Sequence, residues 1–212
     1  MTAILKVDTI QDTAGNNIIN ESSDTITIGA SGDTTNIVGT LQNNGSALNF
    51  ATVNGITMAD IFRLNTNLSF NSSNTATITA NLERDDTTGA GFIGTGMSES
   101  SGIFTFPSTG IYKVDFNPAF YRDGDSQWIE SKIQVTTNNS SYADLTSADI
   151  FIHRTTSTNT YTAGHLSALV DVTSTSNVKV RFNIAGALGP IILRGSTTKN
   201  NTCMIFVRLG DT

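Results

Sequence analysis

Residues 110–116 alternate without interruption, with Tyr112, Val114 and Phe116 on one side of the chain and Ile111, Lys113 and Asp115 on the other. A period of two with large apolar side chains on one side marks a strand lying on a core, and it excludes an amphipathic helix there. The lead-in, Ser101-Gly-Ile-Phe-Thr-Phe-Pro-Ser-Thr-Gly110, is rich in turn formers. The pattern recurs where Val178, Val180, Phe182 and Ile184 alternate with Lys179, Arg181 and Asn183. Strands are predicted over 76–82, 103–106, 110–121, 127–136, 148–154, 164–172, 177–185 and 203–209. Turn clusters such as Arg122-Asp-Gly-Asp-Ser126 and Asn138-Asn-Ser-Ser141 divide them. Strands punctuated in this way predict an all-β fold, a two-sheet jelly-roll sandwich.

The first 48 residues differ. Short apolar bursts at Ile4-Leu-Lys-Val-Asp-Thr-Ile10, Ile18-Ile19, Thr25-Ile-Thr-Ile28 and Ile37-Val38 are separated by Gly, Asn and Asp. They read as short β-segments too sparse to enclose a core alone. Either three chains wrap them around a common axis, or they form a tail that orders against a partner. Residues 1–50 are therefore read as an attachment segment with Ile4, Leu5, Val7 and Ile10 as its anchor. Residues 51–70 are read as a connector and 71–212 as the head. Within the connector, Ile56, Met58, Ile61, Phe62 and Leu64 leave Asp60 and Arg63 polar, which predicts one short helix over 54–64.

Composition narrows the function. Charged residues make up only 14% of the 212-residue chain, whereas Thr, Ser and Asn supply roughly a third of it, the bias of a turn-dense β-protein. A net charge of −6 with no basic cluster argues against nucleic acid as a partner. No apolar run approaches the roughly 18 residues that span a bilayer, and the N-terminus lacks a signal-peptide pattern, so a soluble protein without membrane insertion is expected. The single cysteine, Cys203, cannot form an intrachain disulfide and sits among apolar neighbours, as packing would place it.

Catalysis has little to stand on. His153 and His165 fall in predicted strands, and neither a serine nor Cys203 carries a nucleophile signature. No enzyme and no cofactor are expected. Asp123-Gly-Asp125 offers two carboxylates to calcium from a tight turn, but lacks the full Asp-x-Asp-x-Asp-Gly loop, and a hairpin turn accounts for it equally. Recognition loops are sought at Arg122, Asp123 and Asp125 and around Tyr161, where a polar loop carries an aromatic suited to stacking on a sugar. Trp128 follows the same turn and is assigned to core packing. The closing strand has Cys203, Ile205, Val207 and Leu209 on one side and Met204 and Phe206 on the other, so both faces want burial. A subunit interface through Met204 and Phe206 is expected, with a covering loop or the 54–64 helix as the alternative.

Several phrases add a resemblance. Ala59-Asp-Ile-Phe-Arg-Leu64, Asn81-Leu-Glu-Arg-Asp-Asp86, Ile93-Gly-Thr-Gly-Met97, Ser101-Gly-Ile-Phe-Thr-Phe-Pro-Ser-Thr-Gly-Ile-Tyr112, Asp171-Val-Thr-Ser-Thr-Ser-Asn177 and Phe206-Val-Arg-Leu-Gly-Asp-Thr212 resemble a recurrent module of marine-bacteriophage fibre and decoration proteins. Leu5-Lys-Val-Asp-Thr-Ile-Gln11 and Thr25-Ile-Thr-Ile-Gly-Ala-Ser-Gly-Asp33 are similar to openings of cyanophage-type fibre proteins. More broadly, the module resembles the jelly-roll heads of the complement first component and tumour necrosis factor, without the collagen-like repeats of the former. The resemblance implies a homotrimer whose threefold axis is lined by one sheet of each jelly roll, and some related jelly rolls hold calcium at the apex. It also implies an N-terminal segment fixing the trimer to capsid or tail on the virion exterior, with a host surface glycan or protein as a further partner.

Overall fold

The computed structural model describes residues 42–43, 46–47, 55–71, 75–154, 158–186 and 188–212. The chain divides into two units, Met1–Val53 and Asn54–Thr212. In the first, β1 (Gln42–Asn43) pairs antiparallel with β2 (Ser46–Ala47). The proposed anchor residues Ile4, Leu5, Val7 and Ile10 lie outside the described residues, as do the other short segments before residue 42.

The second unit is all-β, and no helix occurs among the described residues. Its strands are β3 (Ala59–Leu64), β4 (Leu68–Phe70), β5 (Ala76–Thr77), β6 (Leu82–Arg84), β7 (Ser98–Ser100), β8 (Ile103–Thr105), β9 (Gly110–Asn117) and β10 (Ala119–Arg122). There follow β11 (Ser126–Thr136), β12 (Ala143–Ile152), β13 (Thr160–Ala163), β14 (Leu166–Val172), β15 (Lys179–Gly186), β16 (Ile191–Leu193) and β17 (Cys203–Gly210). One sheet runs β14-β9-β17-β3-β6; the sheet facing it runs β12-β11-β15-β8-β7, with β5 also on β15. A third, β13-β10-β16-β4, repeats the strand order of the first past a break.

The break has a local cause. Pro118 has no N–H for a ladder and separates β9 from β10. The buried Thr202 stitches the gap: its carbonyl accepts Leu64 N–H at 3.0 Å and its hydroxyl accepts Ala119 N–H at 3.1 Å.

Between the two large sheets the core is aromatic. Phe62, Phe116 and Phe206 from one sheet meet Phe104 and Phe182 from the other, with ring centroids 5.0–6.1 Å apart across Phe62–Phe104, Phe116–Phe182, Phe104–Phe206 and Phe182–Phe206. Val178, Val180, Phe182 and Ile184 are buried, as their alternation predicts. Cys203 is also buried, its Sγ 3.7 Å from Asn117 Nδ2.

The expected 54–64 helix is a strand instead. Met58, Asp60, Phe62 and Leu64 point inward at period two, because β3 is clamped between β17 and β6. That pairing with the far end of the chain overrides a local pattern that also fits a helix. Asp60 and Arg63, expected on a wet face, are buried. Asp60 accepts Arg84 Nε and Nη2 at 3.0 Å each, and Met97 N–H at 2.7 Å. Arg63 is held by Glu83 at 2.7 Å, Asp85 at 2.7 Å and Asp86 at 2.6 Å, and by the Thr87 hydroxyl. The segment read as a connector thus supplies β3 and β4 to two sheets.

Candidate functional site

Two surfaces stand out, one on each large sheet. The first is the outer face of β14-β9-β17-β3. Cross-strand register lines up Ser167, Asp115, Ile205 and Ile61 in one row, and Leu169, Lys113, Val207 and Ala59 in the next. Leu169 is 62% exposed and Leu209 56%, while Ile61, Ile111, Ile205 and Val207 are half-buried. An apolar stripe on an outer sheet face is a surface that wants a partner. Within it, Lys113 Nζ donates to Asp115 Oδ2 at 2.8 Å, and Asp115 Oδ1 is buried. Although burial alone would raise the Asp115 pKa, the hydrogen bonds from Lys113 and Ser167 and the nearby positive charge hold it below the usual carboxylate range.

Met204 and Phe206 are not on this face. Both are fully buried against the facing sheet within one chain, so neither can form a subunit interface. On β17 the sides are exchanged: Met204 and Phe206 fill the core, whereas Ile205 and Val207 look outward half-buried and Leu209 is exposed. The swap is legible in register, because Met204 stands opposite Phe62 and Phe116.

The second surface surrounds the Asp-Gly-Asp turn. Ser126 pairs with Ile152 and Ile129 with Ile150, so Gln127 and Trp128 together oppose Phe151 alone, a β-bulge. The neighbours Ile129 and Ile152 are buried, which turns Trp128 and Phe151 to the outer face, 38% and 67% exposed. Trp128 was expected in the core; the extra residue of the bulge turns it out. Phe151 divides two clefts. One, about 460 Å³, is lined by Asp125, Ser126, Gln127, Ile152, His153 and Leu188. The other, about 390 Å³, is lined by Asp149, Ile150, His153, Thr160, Tyr161 and Thr162.

Of the expected recognition residues, Asp125 and Tyr161 line these clefts, one each. Tyr161 is 58% exposed but lies on β13, not in a loop; its ring sits 5.5 Å from that of Tyr121 and 5.0 Å from the Arg194 guanidinium. Arg122 donates to the Pro190 carbonyl at 3.3 Å. Asp125 Oδ1 accepts Arg154 N–H at 2.5 Å and stands 3.7 Å from His153 Nδ1, while Asp123 Oδ1 is 3.1 Å from Arg154 Nη2. The two aspartates thus tie the turn to the end of β12. No group of three or more His, Cys, Asp or Glu among the described residues is arranged to hold a metal ion. His153 and His165 lie just outside strands, His165 Nδ1 being 2.6 Å from Asn117 Oδ1. Phe151 was missed, although its outward position follows from the inward Ile150 and Ile152.

Solved structures share this arrangement of sheets. The Eiger tumour necrosis factor of S. frugiperda matches with a TM-score of 0.54 and 14% identity over 74% of this chain and 96% of that one. The fold is a tumour-necrosis-factor-like jelly roll. Murine APRIL at pH 5.0 matches with a TM-score of 0.51 and 12% identity over 72% of this chain and 98% of its own. No family model matches the sequence, and no curated sequence matches it. At these identities the likeness is one of fold. Both matches cover nearly the whole of the other chain and about three-quarters of this one, so this jelly roll carries additional chain.

Proposed function

We propose that this chain is a non-enzymatic structural protein of a bacteriophage virion, a homotrimeric fibre or capsid-decoration protein whose jelly-roll head projects outward from an attachment segment within residues 1–50. The virion assignment draws on the sequence phrases that resemble those of marine-phage fibre proteins, and the trimer on the fold class. The observation that carries the reading is the apolar outer face of β14-β9-β17-β3, with Ile61, Ile205, Val207, Leu169 and Leu209 around the Lys113–Asp115 pair. Facing its symmetry mates across a threefold axis, this sheet buries its stripe, and each contact is repeated three times.

Sedimentation of the full chain tests this directly. The wild type is expected as a trimer at micromolar concentration. Ile205→Asp, which puts a charge in the middle of the stripe while leaving the core untouched, is expected to yield folded monomers. A monomeric wild type, or a trimeric Ile205→Asp, would sink the reading.

A further inference from the structure

Exposed aromatic side chains are concentrated at one place in this molecule. Of the four aromatics standing out from the described surface, Phe92, Trp128, Phe151 and Tyr161, the last three lie at or beside the β11–β12 bulge. We infer that the bulge and the two clefts astride Phe151 form a carbohydrate-binding site, taking consecutive units of an oligosaccharide on either side of the Phe151 ring.

The chemistry of the lining selects the ligand. Each cleft falls within the range of about 300–1,000 Å³ usual for small-molecule sites. Here the lining mixes two characters: apolar Phe151 and Ile152 line both clefts, with Leu188 in one and Ile150 in the other, and polar groups stand beside them, Asp125, Gln127 and His153 in the first and Asp149, Thr160 and Thr162 in the second. A saccharide has the matching character: its ring carries an apolar C–H face that stacks on an aromatic, and a rim of hydroxyls that each need a donor or an acceptor. Carboxylates on both sides disfavour an anionic ligand, so neutral sugars are indicated. Tyr161 is exposed yet fixed in orientation by Tyr121 and the Arg194 guanidinium, which lowers the ordering cost of using it as a platform. The bulge serves the same end, since it turns Gln127 and Trp128 outward in succession. The clefts lie within one chain, so their ligand needs no second subunit.

Trp128, the only tryptophan, follows the cleft-lining Gln127 in the bulge, and its emission is expected to respond to a ligand beside it. The full chain would be titrated with soluble oligosaccharides of glucose, mannose, galactose and N-acetylhexosamines, then passed over the corresponding immobilised polysaccharides. At least one class is expected to shift the emission and to retain the protein. Phe151→Ala and Tyr161→Ala are each expected to weaken binding about tenfold, as loss of one stacking contact would. Both side chains are exposed, so the thermal midpoint should hold. Absence of any shift or retention across the panel would overturn the assignment, as would binding unchanged in both variants. A Phe151→Ala chain that lost self-association instead would show the patch to be a contact between copies. Sugar binding by a monomeric wild type would defeat the trimer reading and leave this one standing.

Discussion

Arg63 shows how one side chain can decide a local structure. Its guanidinium is fully buried and its charge is met by Glu83, Asp85 and Asp86, so residues 83–87 wrap around it. Burial by itself would raise the Asp85 pKa, but hydrogen bonds from Asn200 and Thr87 and the charge of Arg63 more than offset that and hold it below 3.8. A carboxylate with a depressed folded pKa contributes stability that is complete above its unfolded value and is lost as pH falls through the folded one. Arg63→Met is accordingly expected to cost about 3 kcal/mol at neutral pH, because a buried carboxylate loses its partner. The gap from wild type should then narrow below pH 3.8. Urea unfolding across pH 2–7 checks this; a gap independent of pH would show that Arg63 acts through packing alone.

Among the elements, the β7–β8 hairpin carries the sharpest requirement. Ser101 and Gly102 turn it with φ of 52° and 82°, and a Cβ on Gly102 would lie 2.1 Å from the Ile78 carbonyl oxygen. Gly102→Ala is expected to cost about 1–3 kcal/mol from its φ alone, and more from the forced backbone shift. Gly91→Ala, where a Cβ meets nothing within 4 Å, should leave the thermal midpoint unchanged. Equal midpoints for the two variants would refute this account of the turn. The long strands were legible in the sequence because one face of each is buried, as β9 and β15 illustrate. β3 was not, because Asp60 and Arg63 break the apolar alternation and their partners Arg84, Glu83 and Asp85 lie some twenty residues away. The two- and three-residue strands β5 and β16 are too short to show a period at all. At the two clefts Asp125 and Tyr161 were legible from residue type, whereas the bulge that turns out Trp128 exists only in the pairing of β11 with β12.

At the scale of the whole molecule, the division after Val53 separates a sequence-defined segment from a self-contained jelly roll. A chain beginning at Asn54 is expected to fold and trimerise yet fail to join virions in a reconstitution with particles lacking the protein. Its incorporation would move attachment to the head. Enclosure of sulfur has a separate consequence. Cys203 is buried, and burial first, with the carboxylates of Asp85 and Asp115 adding to it, pushes its thiol pKa up, so little thiolate forms and none is presented. Met58, Met97 and Met204 are equally shut away, each at 2% exposure or less. The jelly roll therefore offers oxidants almost no sulfur to attack, and can pass from a reducing interior to aerated water with its covalent structure unchanged.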